Sequence, residues 1–313
     1  MELTRSARCE GGHAPPPQPI RALGGPRGGL VESGDRQDTV LGCLLGGAIG
    51  DAIGGVAERG CVGLSDDTQL TLATCEAICE SGVAEPAALA AAFLRWFTQR
   101  RLSGLGSATL KALRDLQAGA HWALAGAKGE MAAGNGGAMR IAPLAFVPSA
   151  DRVAIRDAVR ITHHHDEAYL GALAVVLAMR LTWPSSSDAL LRTVAAELPD
   201  CRVRDQLQLA AELGRAPSLE AVARHSGSSG WVVETVPLAL VAGWQMAEAS
   251  FPTALDELVR IGGDTDTIAS IAGQVAGAKL GARRLPPDLL SVVPERELIE
   301  DIGLRFSAIL GAA

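Results

Sequence analysis

Aromatic side chains are scarce in this sequence. They make up 4% of the 313 residues, although hydrophobic residues account for 48% and glycine occurs 36 times. Strands favour aromatic and β-branched residues, so this composition counts against a β-sandwich. Small and aliphatic side chains suit closely packed helices, and we therefore expect an all-α interior.

Clusters of basic residues are also missing. The formal net charge is -7, and no run of Lys and Arg interrupts the chain. Proteins that bind nucleic acids neutralise phosphates with grouped cations, so we expect no general nucleic-acid partner. An anionic ligand stays compatible with this charge if bound cations reverse the local field.

The cysteines lack the spacing of a metal-binding or disulfide-rich protein, since the six are scattered without a CxxC pair. The N-terminus carries no apolar secretory signal. The apolar stretches at residues 40–57 and 170–183 contain Asp51 and Arg180 and do not resemble membrane spans. We therefore expect a cytoplasmic protein without membrane contact, and we take it to be a monomer.

The chain divides into two parts by composition. Residues 1–38 hold the segment PPPQP and several glycine pairs with almost no apolar periodicity, which predicts a disordered tail. Residues 39–313 show apolar residues at three- and four-residue spacing between Gly and Pro breakers. This pattern predicts one compact orthogonal all-α bundle of roughly 10–13 helices.

Two acidic motifs begin strongly helical segments. They are SDDT at residues 65–68 and GGDTDT at residues 262–267, where Gly262 and Gly263 allow a tight turn. One acid in each motif is explained by N-capping, but the second is not. If the motifs meet, their oxygens would form a site for a hard cation such as Mg²⁺ or Mn²⁺.

Three further segments carry weaker signals. The loop GNGGAMR at residues 134–140 leads into an apolar run and could present N–H groups to phosphate or be a structural turn. In THHHD at residues 162–166, consecutive histidines cannot all face one site, so one is a candidate ligand contact. Asp51 lies among the small residues of GGAIGDAIGG, whose ordinary role is close helix packing, and we expect it to hold a neighbouring loop.

Together and in this order, these segments resemble the ADP-ribosylglycohydrolase family. That family includes ADP-ribosyl-arginine and ADP-ribosyl-serine hydrolases and proteins like the dinitrogenase reductase-activating glycohydrolase. The resemblance runs from about Val40 to Leu280 through LLGGAIGDAIGG, SDDTQLTLATCEAI, GNGGAMRIAPLAF, THHHDEAYLGALA and GGDTDTIASIAGQVAGA. It implies the family's all-α fold and an enzyme that cuts the glycosidic bond between ADP-ribose and a modified protein side chain or small conjugate.

The resemblance also implies particular site residues by position. The implied ligands of two Mg²⁺ ions, for which Mn²⁺ can substitute, are Ser65, Asp66, Asp67, Asp264, Asp266 and Thr267. The implied ADP-ribose contacts are Gly134, Asn135, Gly136, Gly137, Ala138, Met139 and His163. The candidate bases are Glu58, Asp66 and Asp266. Only seven residues separate Glu58 from Asp66, and this short spacing slightly favours an arginine-type enzyme.

The chemistry implied is metal-assisted hydrolysis. Metal ions lower the pKa of bound water, and a carboxylate acting as base completes cleavage through an oxocarbenium-like state. One alternative is a non-catalytic relative that binds ADP-ribose or is structural. Another is a different all-α metal hydrolase, such as one acting on phosphate esters, although such sites usually recruit more His and basic residues.

Overall fold

The computed structural model describes residues 33–311, which are almost entirely helical. In chain order the helices are α1 (Ser33–Gly54), α2 (Val56–Arg59), α3 (Asp66–Ser81), α4 (Pro86–Thr98), α5 (Ser107–Gln117), α6 (Arg152–Arg160), α7 (Asp166–Arg180), α8 (Ser187–Ala196), α9 (Arg202–Ala211), α10 (Leu219–Ser226), α11 (Val232–Gln245), α12 (Phe251–Ile261), α13 (Thr265–Leu280), α14 (Pro287–Ser291) and α15 (Arg296–Leu310). Within this range, thirteen helices have eight or more residues, which confirms the predicted all-α class.

The central helix pair is α1 against α13, and glycine brings the two main chains together. A Cβ atom added at Gly46 or Gly50 would overlap the backbone of α13, at Gly273 and Ala269 respectively. A Cβ at Gly273 would likewise overlap α1. The small residues of GGAIGDAIGG therefore pack helices closely, as expected, and they place the C-terminal end of α1 beside the N-terminal end of α13.

Aliphatic and small side chains fill the core, as the composition indicated. Largely buried helices such as α7 and α13 are lined by Ala, Val, Leu and Ile, and the two largest fully buried side chains are Trp96 and Phe93. Transfer of such apolar surface from water, at about 25 cal/mol per Å², is the main force that holds these layers together.

Short irregular segments lie between the helices and bring distant motifs together. Two-residue strands β1 (Ala127–Lys128) and β2 (His163–His164) pair in parallel, with Ala127 opposite His163. The loop at residues 134–140 begins with a 3₁₀ turn at Asn135–Gly137, and Gly134 forms an isolated bridge with Trp231 before α11. His163, the glycine loop and the start of α11 therefore share one region.

The predicted boundary between tail and domain needs correction. Residues 33–38 were assigned to the tail, but they form the first turns of α1. Distant contacts account for the difference, since Arg36 donates to the carbonyl of Leu310 at 2.9 Å and the Asp38 carboxylate accepts from the Arg283 N–H at 3.1 Å. The rest of the predicted tail, with its proline-rich segment, lies outside the described residues.

None of the helices between residues 33 and 311 combines the length and the apolar character that crossing a bilayer requires.

Candidate metal and ligand site

The first acidic motif is fixed by Asp51, which is fully buried near the end of α1. Its carboxylate accepts hydrogen bonds from the Ser65 N–H at 2.9 Å and the Ser65 hydroxyl at 2.8 Å. It also accepts from the Thr68 hydroxyl at 2.7 Å and the Thr68 N–H at 3.2 Å. Asp51 thus holds the neighbouring SDDT turn, as the sequence suggested, and Ser65 in turn caps α3 by accepting from the Asp67 N–H.

The second acidic motif begins α13 and meets the first. Gly262 and Gly263 have φ values of 78° and 94°, which are strained for residues with a side chain, so the glycine pair is required for this turn. The Thr267 hydroxyl, 200 positions from Asp67 along the chain, donates to its Oδ2 atom at 3.2 Å. Two motifs that are remote in sequence therefore share one site.

Three carboxylates converge where α1, α3 and α13 meet. One oxygen from each of Asp51, Asp67 and Asp266 lies within 4.8 Å of the other two, so these residues could hold a metal ion. Asp67 Oδ1 is buried and accepts no hydrogen bond from the described residues. Because a buried, unpaired carboxylate oxygen is costly, this atom fits a cation ligand. An all-oxygen donor set fits a hard divalent ion such as Mg²⁺ or Mn²⁺.

Mutual repulsion and burial make these acids weak. Burial, aided by the negative charge of Asp51, raises the pKa of Asp66 to about 8. Burial, together with the charges of Asp51 and Asp266, raises the pKa of Asp67 well above its ordinary value. Burial also raises the pKa of Asp51, although its hydrogen bonds from Ser65 and Thr68 oppose the change. A bound divalent cation would favour the ionised form of each.

Arg59 supplies a positive charge at this cluster. Its guanidinium donates to Asp266 Oδ2 at 3.1 Å, and it lies 3.4 Å from Asp51 Oδ1. It also donates to the carbonyls of Asp51 at 2.6 Å and Gly63 at 2.7 Å. A Cβ atom at Gly55 would overlap the guanidinium, so the glycine makes room for it. Arg59 is not predictable from the sequence, because nothing in its local pattern distinguishes it from a surface arginine.

Asn135 joins the glycine loop to the second acidic motif. Its buried amide group donates to Asp264 Oδ2 at 2.6 Å and to the Thr235 hydroxyl at 3.0 Å. The backbone N–H of Asp264 donates to the Ser228 carbonyl at 2.8 Å. The glycine loop, Asp264 and Thr235 therefore form one polar network.

An open cavity of about 660 Å³ adjoins this network. It is lined by Glu130, Met131, Ala133, Gly134, His165, Glu167, Arg202, Gly230 and Trp231. The guanidinium of Arg202 lies 5.9 Å from the centre of the Trp231 ring, and Met131 is 95% exposed at the rim. An indole face, a nearby cation and main-chain groups can bind a ligand with an aromatic ring and anionic oxygens.

Only the first part of the predicted glycine loop reaches this cavity. Gly134 lines the opening, whereas Ala138 and Met139 are buried, with the Met139 carbonyl accepting from Gln274 at 2.7 Å. Gly137 packs so closely against Val159 that a Cβ atom there would lie 2.7 Å from its side chain. Trp231, Arg202 and Met131 line the cavity instead, and no periodic signal in the sequence marked them.

His163 lies beneath the glycine loop and is nearly fully buried. A Cβ atom at Gly134 would lie 3.2 Å from the Nε2 atom of His163, and one at Gly136 would lie 2.7 Å from its Cε1 atom. The two glycines therefore make room for the imidazole ring. Burial and the positive charge of Arg140 lower the pKa of His163 to about 3. His165, by contrast, caps α7 by accepting from the Glu167 N–H at 3.0 Å.

The remaining candidates lie at different distances from the acidic triad. The hydroxyl oxygens of Ser65 and Thr267 lie 2.9 Å and 3.2 Å from Asp67 Oδ2, and Asp66 is buried at the start of α3. Asp264 is reached through Asn135. Glu58 is in α2, but its side chain lies outside the described residues.

The helical fold and the paired acidic motifs define a class of ADP-ribose-processing proteins. A family model for ADP-ribosylglycohydrolase matches residues 32–312, and the chain therefore belongs to that family. A solved structure titled ADP-ribosylglycohydrolase-related protein complex superposes with a TM-score of 0.68 at 27% identity, covering 88% of this chain and 99% of that one.

Curated relatives agree with this assignment. ADP-ribosylarginine hydrolase Tri1 of Pseudomonas putida is 29% identical, over 85% of this chain and 76% of that protein. Human ADP-ribosylhydrolase ARH3 is 30% identical, over 49% of this chain and 52% of its own length. An uncharacterized protein of Archaeoglobus fulgidus is 29% identical over 84% of this chain and 94% of its length.

Proposed function

We propose that this protein is a Mg²⁺-dependent hydrolase that releases ADP-ribose from a modified protein side chain or a small conjugate. The observation that carries the proposal is the convergence of Asp51, Asp67 and Asp266 within 4.8 Å. The second acidic motif is linked to the open cavity by Asn135, which donates to Asp264 and follows the cavity-lining Gly134. A protein that needed only a stable helical core would gain nothing from three adjacent carboxylates, two of them buried, because their repulsion opposes folding.

The proposed cation ligands are drawn from both acidic motifs. We assign two Mg²⁺ ions, replaceable by Mn²⁺, to Ser65, Asp66, Asp67, Asp264, Asp266 and Thr267. Asp51 has a carboxylate oxygen in the same triad and joins this set as a ligand or as the group that orients Ser65. When bound, such ions supply Lewis-acid polarisation of ligand oxygens and a lowered pKa for bound water.

The proposed ADP-ribose site extends from the acids into the cavity. The family's pattern assigns the diphosphate to Gly134, Asn135, Gly136, Gly137, Ala138 and Met139, and His163 to a nucleotide contact. The geometry supports Gly134 most directly, because it lines the cavity, and Asn135 links that loop to Asp264. Trp231 and Arg202 offer a face and a positive charge for the nucleotide.

A carboxylate acts as the base toward the attacking water in this proposal. Asp266 is the most accessible of the triad, with a side chain that is 14% exposed, whereas those of Asp51 and Asp67 are almost inaccessible. Asp66 and Glu58 are the other candidates. The base takes a proton from water as the water oxygen bonds to the anomeric carbon and the bond from that carbon to the side-chain nitrogen or oxygen breaks. The proton passes on to the released side chain, which leaves the cavity, and the carboxylate is restored.

An arginine linkage is the preferred substrate, because Glu58 and Asp66 are close in sequence and Tri1 carries that activity in its name. The test is a panel of peptides bearing ADP-ribose on arginine or serine, incubated with the full chain and Mg²⁺. We expect release of free ADP-ribose, prevented by EDTA and by Asp266→Asn, whereas exposed Asp256→Asn serves as the matched control.

Two other results would redirect the assignment. Binding of ADP-ribose by calorimetry without release from any peptide would make the protein a non-catalytic binder. Absence of both binding and release in the presence of Mg²⁺ would reject the proposal altogether.

A further inference from the structure

Arg140 is a buried cation directly below the glycine loop. It is 2% exposed, and its guanidinium donates to the carbonyl of Gly136 within the same loop. It also donates to the Ala158 carbonyl at 3.3 Å and to the Thr162 hydroxyl at 2.7 Å. A buried charge is costly unless its donors are satisfied, so this arrangement calls for an explanation beyond packing.

The hydrogen bonds at Thr162 have a direction that chemistry fixes. A guanidinium has donors and no acceptor, so the Thr162 oxygen must accept from Arg140. The single hydroxyl hydrogen then has two possible acceptors, the Nδ1 atom of His163 at 2.7 Å and the Val159 carbonyl at 3.4 Å. The shorter contact has the length typical of a hydroxyl donor, whereas the longer one is at the limit.

The consequence reaches the other nitrogen of the ring. If Nδ1 of His163 accepts from Thr162, the neutral imidazole carries its hydrogen on Nε2. Nε2 lies next to Gly134, which lines the cavity, and no hydrogen bond from the described residues reaches this atom. Burial and the charge of Arg140 lower the pKa of His163 to about 3, which agrees with a neutral ring.

We propose that Arg140 and Thr162 are positioning residues that hold His163 as the Nε2–H tautomer, so that it donates a hydrogen bond to an oxygen of bound ADP-ribose. The ligand part rests on the proposed function, whereas the tautomer is a property of the protein alone. In this arrangement Arg140 never touches the ligand. It acts by orienting the hydroxyl of Thr162, which in turn fixes where the ring can donate.

The tautomer can be measured directly. In the full chain labelled with ¹⁵N-histidine, long-range ¹H–¹⁵N correlation spectra distinguish protonated from unprotonated ring nitrogens, and His163→Gln identifies the signal. We expect an unprotonated Nδ1 and a protonated Nε2 in the wild-type protein. An unprotonated Nε2 would overturn the proposal, because the ring could then only accept at the cavity.

Two variants separate positioning from structure. Thr162→Ser keeps the hydroxyl and should retain the tautomer and bind ADP-ribose within about twofold of wild type. Thr162→Val removes the hydroxyl at similar volume and should mix the tautomers and weaken ADP-ribose binding about tenfold. An unchanged tautomer in a folded Thr162→Val protein would refute the role of Thr162.

Further outcomes keep the two proposals distinct. If Thr162→Val does not fold, as judged by circular dichroism, the wild-type spectrum and Thr162→Ser still decide the tautomer. If wild-type protein shows the expected tautomer yet binds no ADP-ribose with Mg²⁺ present, the ligand part fails together with the proposed function, while the Arg140 and Thr162 assignment stands.

Discussion

The guanidinium of Arg59 lies 3.1 Å from the carboxylate of Asp266 and bridges it to the end of α1. A positive side chain therefore contacts an acid that belongs to the metal-compatible triad. The arrangement allows the acids to be partly neutralised by the protein itself. It also means that a divalent cation and Arg59 compete for overlapping oxygens.

Removal of this side chain should strengthen cation binding. We expect Arg59→Gln to lower the Kd for Mn²⁺ several-fold, because Asp51 and Asp266 no longer interact with a guanidinium. Calorimetric titration of the EDTA-treated protein measures the effect. Arg283→Gln, a change at an exposed arginine that pairs with Asp38, is the matched control. Equal or weaker Mn²⁺ binding in Arg59→Gln would contradict competition.

The raised pKa of Asp66 predicts how stability depends on pH. Its pKa is about 8 in the folded protein against 3.8 for the ordinary carboxyl, so the native state binds more protons between these values. By linkage, the contribution of Asp66 to the stability of the metal-free protein falls as pH rises from about 4 to 8. Thermal melts of wild type and Asp66→Asn at several pH values after EDTA treatment isolate this contribution. A stability of wild type relative to Asp66→Asn that rises over this range would contradict the prediction.

Asp66→Asn should stabilise the metal-free protein at pH 8. It removes a buried charge, and among the described residues the carboxylate accepts only a backbone hydrogen bond, which the side-chain carbonyl of Asn can also accept. Each 1 kcal/mol corresponds to about 2–4 °C in Tm for a domain of roughly 200 residues, so a shift of that order is expected. Asp256→Asn, at an exposed position, should leave Tm unchanged.

His163 should stay neutral through the physiological range. Its pKa is about 3 in the folded protein and 6.5 in its ordinary state, so acidification from pH 6.5 toward 3 favours the unfolded chain. The stabilising contribution is present above pH 6.5 and is lost as the pH falls. An NMR titration that shows His163 protonating near pH 6.5 in the native protein would disprove this assignment.

The glycine contact between α1 and α13 predicts a steric effect. Gly50→Ala places a methyl group where the α13 backbone lies, and we expect a loss of about 1–3 kcal/mol in unfolding free energy. Gly106→Ala, where a Cβ meets nothing within 4 Å, is the matched control. Chemical denaturation measures both, and equal stabilities would show that the helices can separate at no cost.

Much of the fold and the pairing of the acids followed from the sequence. The apolar spacing predicted the helices. Capping explained only one acid in each motif, which pointed to a second role for the motifs without saying which acids converge. The full role of Asp51 was harder to predict. It both accepts from Ser65 and contributes an oxygen to the triad, and this combination appears only once α1, α3 and α13 are packed.

Other features depend on tertiary contacts that a single sequence does not encode visibly. Arg140 and Arg59 look like ordinary arginines in sequence, yet one is buried beneath the glycine loop and the other contacts Asp266. The helix at residues 33–38 is fixed by partners near the other end of the chain. Asp266 lies more than 200 residues from Arg59 along the chain, and the partners of Arg36 and Asp38 are as far from them, whereas Thr162 lies 22 residues from Arg140.

The direct backbone contact of Gly46 and Gly50 with α13 has a consequence for divergence within the family. Because the main chains of α1 and α13 touch, the distance between the two helix axes sets the separation of Asp51 and Asp266. Side chains between the helices cannot adjust it. Loops around the cavity, including those that carry Met131 and Trp231, can change length and chemistry without moving these acids. Substitutions at the rim can thus alter which ligands the cavity accepts while the spacing of these two acids is kept.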